Sequence, residues 1–149
     1  MTAKADFNAE EWETLLQGPP SAGMLVVASD RGGSIRESFS MAKAYAEARE
    51  SHGASELLDD IVSAKPEMDR SRHGSVEEMK QACAQNLREA MDLLKAKATP
   101  EEAEEYRNFV LGLAERVANA RREGFMGLSG DRVSDAERAA IGEVAAALA

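Results

Sequence analysis

Four carboxylates, Asp30, Glu37, Asp131 and Glu137, sit in or just after two glycine-containing segments. Several oxygen ligands of this kind, supplemented by loop carbonyls, are what a hard divalent cation such as Ca²⁺ or Mg²⁺ takes. The first segment reads Ser29-Asp30-Arg31-Gly32-Gly33-Ser34-Ile35-Arg36-Glu37, and the second Ser129-Gly130-Asp131-Arg132-Val133-Ser134-Asp135-Ala136-Glu137. The four side chains converge if both segments lie at one end of the fold. Neither segment has the alternating ligands and final bidentate Glu of an EF-hand loop. The plainer reading is helix capping, by Ser34 with Glu37 and by Ser134 with Glu137.

Other reactive groups are few. His52 and His73 are the only histidines, and neither has a Glu three residues before it, as carboxylate-bridged di-iron bundles require. With a single cysteine as well, a zinc site is not expected. Cys83 falls between Met79 and Leu87 on an apolar stripe and reads as a buried, inert thiol. Gly32-Gly33 and Gly127-x-x-Gly130 could offer N–H groups to an anion. No Gly-Lys-Ser/Thr follows them and Glu37 or Glu137 would repel phosphate, so turn geometry is the better explanation. Neither a catalytic residue nor an organic cofactor is read from the chain. An apolar, glycine-rich stretch, Gly124-Phe125-Met126-Gly127-Leu128, must be buried or bound. Phe125, Met126 and Leu128 are candidates for a protein-partner or homodimer contact.

The elements that would position these groups are helices. Asn8 precedes Ala9-Glu10-Glu11, and Phe7 and Trp12 flank it, which reads as an N-cap with a capping box and a hydrophobic staple. Ser34, Ser75, Thr99 and Ser134 each stand before a first turn that carries Glu. Behind them apolar residues recur at three or four: Val76, Met79, Cys83, Leu87, Met91 and Leu94; Ala103, Tyr106, Val110, Leu113, Val117 and Ala120; Ile141, Val144 and Leu148; Ile35, Phe39, Ala42 and Ala46. Glu101-Glu102-Ala103-Glu104-Glu105 reads as a solvated first turn. The first helix is expected to stop at Gly18, since Pro19-Pro20 block continuation, and Met24-Leu25-Val26-Val27 reads as part of a short buried helix. The expectation is all-α, a compact bundle of about seven helices near 9–17, 20–29, 35–51, 55–64, 76–97, 100–123 and 135–148. Residues 65–74 form a polar loop between a short-helix half and a long-helix half.

The chain's 149 residues suit a single domain over 1–149. Its net charge of −9 argues against nucleic acid and against an anionic membrane surface. The absence of any long apolar run argues against membrane insertion. A single cysteine and no basic-then-apolar leader point to a cytoplasmic protein.

The two segments share Asp-Arg, a glycine, a capping Ser and a Glu three residues after it, the pattern an internal duplication into two halves would leave. Gly130-Asp131-Arg132-Val133-Ser134-Asp135-Ala136-Glu137-Arg138, followed by Ala140-Ile141, resembles the Asp-Gly-x-Val-Ser-x-x-Glu helix entry of the TerB-like proteins. That family is named from bacterial tellurite resistance. In its pattern Gly follows the Asp, whereas here Gly130 precedes Asp131. The resemblance implies an all-helical protein of two similar halves, a non-enzymatic binding or stress-response module, and an acidic site for a divalent cation. The competing reading is a small helical enzyme or ligand-binding protein with a pocket among the N-terminal helices.

Overall fold

A computed structural model describes residues 4–28, 35–50, 56–63, 75–123 and 135–149. Among them are a 3₁₀ turn, η1 (Lys4–Asp6), and six α-helices: α1 (Ala9–Ala28), α2 (Ile35–Glu50), α3 (Glu56–Ser63), α4 (Val76–Lys97), α5 (Pro100–Glu123) and α6 (Asp135–Ala147). No helix is long and apolar enough to cross a membrane among the described residues. The all-α expectation holds, and most boundaries fall within a residue of those read from the sequence.

Local chemistry explains the helix starts. The Asn8 backbone N–H donates to a Glu11 carboxylate oxygen at 2.9 Å, and the Glu11 N–H donates back to Asn8 Oδ1 at 2.8 Å. Phe7 and Trp12, both buried, pack with ring centroids 6.0 Å apart, forming the staple. Thr99 and Glu102 exchange the same reciprocal pair, at 3.0 and 3.2 Å, at the head of α5. Ser75 Oγ accepts from the Glu78 N–H at 3.2 Å at the head of α4. Ser34 and Ser134 lie outside the described residues.

Six helices replace the expected seven because α1 runs unbroken through Gly18-Pro19-Pro20. Proline removes the N–H that would bond to the carbonyl four residues back, so Pro19 orphans the Leu15 carbonyl and Pro20 that of Leu16. The Tyr106 hydroxyl of α5 donates to the Leu15 carbonyl at 2.7 Å. One residue earlier in α1, Asn86 Nδ2 of α4 donates to the Thr14 carbonyl at 3.2 Å. The sequence rule failed here because neighbouring helices supply a donor that the helix itself lacks.

The second half of α1 is the axis of the molecule. Every residue from Gly18 to Val26 is buried, so Met24, Leu25 and Val26 do lie in a buried helix, though not in a separate one. Around it the core takes Leu87, Met91 and Leu94 from α4, Val110, Leu113 and Val117 from α5, Val144 from α6, and Leu148 just after it. On α2 the buried face differs from the one read from periodicity. Ala44 and Tyr45 are buried, whereas Ala42 and Ala46 are exposed. The Tyr45 ring meets Phe109 of α5 edge-on at 5.4 Å. A large ring gains far more from burial than an alanine, and it sets the helix's rotation.

The contacts also give the helices their directions. Lys97, at the end of α4, bonds Glu11 at 2.7 Å, so α1 begins at the turn that joins α4 to α5. Leu15 meets Tyr106, so α1 and α5 run the same way from that turn. Lys95 Nζ donates to the Ala149 carbonyl at 2.9 Å and Arg107 Nε to that of Leu148 at 3.1 Å, so α6 finishes there. These two cations also meet the negative end of α6, whose last turn holds no basic residue of its own.

Candidate functional site

Opposite the α4–α5 turn, α1 and α5 end and α4 begins. At 1.5 Å per residue, the 20 residues of α1, 22 of α4 and 24 of α5 span roughly 30–36 Å each, so their far ends form one face. The 13 residues of α6 cover only about 20 Å, and its first turn points toward that face. Residues 29–34 leave from the end of α1, and residues 124–134 join the end of α5 to the start of α6. The two segments singled out in the sequence are therefore attached at the same end of the bundle.

Asp30 and Asp131 themselves lie outside the described residues. Glu37 stands in the first turn of α2 and Glu137 in the first turn of α6, with their side chains outside the description. Phe125, Met126, Leu128, His52 and His73 also lie outside it. Among the described residues no group of three His, Cys, Asp or Glu side chains is placed to hold a metal ion. The last turn of α1 carries no basic residue, and the carbonyl ends of α1 and α5 point toward this face with the negative sense of the helix dipole.

Elsewhere, the chemistry-bearing groups inside the fold serve the fold. Cys83 is 4% exposed, as its place on the stripe predicted. Burial pushes its thiol up to about 11, opposed by a hydrogen bond with Ser21. Burial holds the Tyr106 phenol well above the ordinary tyrosine range, with the neighbouring Tyr45 adding to the effect, and its hydroxyl serves Leu15. Glu102 departs from the expectation of a solvated acidic turn: it is buried and closes the α5 capping box, while Glu101 and Glu104 are exposed. Oε2 of the half-buried Glu105 is enclosed without a hydrogen-bond partner, and nothing in the structure explains it.

Two features escaped the sequence reading. One is the Tyr106–Leu15 bond together with Gly18: a Cβ on Gly18 would stand 1.8 Å from the Tyr106 hydroxyl oxygen, so only glycine admits the ring. The signal was present in part, since Pro19 announces an orphaned carbonyl four residues back, but nothing in the sequence names the donor. The other is an open recess of about 810 Å³ between α4 and α6. Ala82, Ala84 and Ala146 line it along with Lys80, Arg88, Glu77, Glu78 and Glu143. It is formed by residues some 60 apart in the chain, and its side chains are those of an ordinary solvated helix face.

No protein-family model, curated protein or solved structure matches the chain.

Proposed function

We propose that this protein is a non-enzymatic helical binding module, of the kind the TerB resemblance implies, with a weak divalent-cation site at the end of the bundle where α1 and α5 finish. One observation carries the reading: the segments bearing Asp30 and Asp131 are attached at that same end, and each leads into a helix whose first turn holds a Glu, Glu37 or Glu137. Four carboxylates drawn from two segments suit Ca²⁺ or Mg²⁺, which take oxygen ligands in flexible geometry. The carbonyl end of α1, whose last turn holds no basic residue, adds favourable potential for a cation. The net charge of −9 works in the same direction. The module's protein contact is the apolar stretch containing Phe125, Met126 and Leu128, which directly precedes the second acidic segment in the chain and offers a partner or a second copy a hydrophobic anchor.

The test is a thermal melt of EDTA-stripped protein with and without Ca²⁺, Mg²⁺, Mn²⁺ and Zn²⁺. A cation present at about one hundred times its dissociation constant adds roughly 2.7 kcal/mol to the folded state. For a chain of this length that is a rise in midpoint of about 5–10 °C. Asp30→Asn and Asp131→Asn should each abolish the rise. If no cation moves the midpoint, or if either variant retains the full shift, the shared site is wrong and the two segments only cap helices.

A further inference from the structure

We infer that α1 is two units joined at a clamped proline hinge, and that residues from Lys4 to Gln17 form a strap that lifts from α4 and α5 while the Ser21–Ala28 half stays in the core. Pro19 and Pro20 remove two consecutive rungs of the helical ladder, those that would end on the Leu15 and Leu16 carbonyls. The halves are thus joined more weakly than a continuous helix of this length would be. What holds the first half down comes from other helices. Tyr106 and Asn86 reach the Leu15 and Thr14 carbonyls. Lys97 bonds the Glu11 carboxylate at 2.7 Å and the Asp6 carbonyl at 3.4 Å, and lies 5.7 Å from the Phe7 ring centroid.

Burial divides at the same place. Ala9, Glu10 and Glu13 are exposed, whereas from Gly18 to Val26 no residue is. The strap keeps only one side in the protein, through Phe7, Trp12 and Leu15, so its release uncovers only part of the surface that global unfolding exposes. Units with few buried contacts open on their own, below the free energy of global unfolding. Lifting breaks the bond between Tyr106 and Leu15 and exposes the sides of α4 and α5 that carry Tyr106, Asn86 and Lys97. The proline pair therefore places the joint, and the clamp keeps it shut.

Native-state hydrogen exchange of the intact chain, resolved by residue, tests the hinge. In the wild-type protein, amides of Glu13–Gln17 should exchange at least about tenfold faster than those of Met24–Ala28, with a weaker dependence on urea, because less surface opens. In a Pro19→Ala/Pro20→Ala double variant, which restores both rungs, the difference should shrink toward zero. Equal protection and equal urea dependence of the two halves in the wild type would overturn the inference. So would a difference that persists unchanged in the folded double variant. If the double variant does not fold, the wild-type comparison alone decides.

Discussion

Replacing Tyr106 by Phe removes one oxygen and keeps the ring. That oxygen is the donor to the Leu15 carbonyl at 2.7 Å, in a place where both residues are at most 1% exposed. Pro19 has no N–H to offer in its stead, so the variant leaves a buried carbonyl without a partner. An orphaned buried polar group costs about 1–3 kcal/mol. For a chain of this length the loss lowers the midpoint of thermal unfolding by about 2–12 °C. Urea titration followed by far-UV circular dichroism and by the fluorescence of Trp12, the only tryptophan, reads the free energy directly. A double-mutant cycle then isolates the cause. Pro19→Ala restores the N–H that reaches Leu15, so Tyr106→Phe should cost at most about 0.5 kcal/mol in that background. Gly18→Ala is the converse probe. Alanine is the better helix former by about 1 kcal/mol, yet its Cβ would meet the Tyr106 hydroxyl oxygen at 1.8 Å, so the substitution should destabilise. It should do so less when Tyr106 is already Phe. A Tyr106→Phe cost below about 0.5 kcal/mol in the wild-type background, or the same cost with and without Pro19, would refute the account of how α1 survives its prolines.

Two further outcomes concern pH. The Glu11 carboxyl is held below its ordinary value of 4.5, first by the Asn8 backbone N–H and then by Lys97. A depressed carboxylate stabilises the fold above the unfolded-state value, and the contribution disappears as pH falls through the folded-state value. Glu11→Gln should therefore flatten the loss of stability below about pH 4.5, with little change in its slope near neutrality, and urea midpoints measured from pH 2 to 7 would read it. The Glu47 carboxyl is lowered by Arg116 and should add to the same acid limb. Cys83 carries the opposite sign. Its folded thiol keeps its proton up to about 11, whereas an unfolded thiol releases it near 9.0, so folding stability should fall as pH rises above 9.0 and Cys83→Ala should remove part of that slope. At pH 8 the native thiol should react with a disulfide reagent at least tenfold more slowly than the urea-unfolded chain. Equal rates would mean that Cys83 is not enclosed.

Much of this fold was legible because its signals are local. A capping box is satisfied within four residues, so Asn8 with Glu11, and Thr99 with Glu102, announced the starts of α1 and α5. The apolar spacing of Met79, Cys83, Leu87, Met91 and Leu94 marked the buried side of α4 before any partner was known. The candidate cation site was legible as two similar segments, though not their placement. That depends on α1 and α5 running the same way from the α4–α5 turn, a fact of packing.

Where local and distant interactions competed, the sequence alone misled. Gly18-Pro19-Pro20 reads as a helix stop, since the prolines remove donors and nothing within a turn replaces them. Tyr106, 91 residues from Leu15 in the chain, supplies the missing donor. On α2, the alanine spacing suggested one face and the Tyr45–Phe109 contact selected another. By itself the sequence determined the helical class, most helix boundaries and most buried faces, because hydrogen bonds and amphipathic periodicity within a helix are written along the chain. Only the tertiary structure decided that α1 is continuous and central, and which helix ends share a face. Those outcomes rest on donors, rings and alignments supplied by residues far away in the sequence.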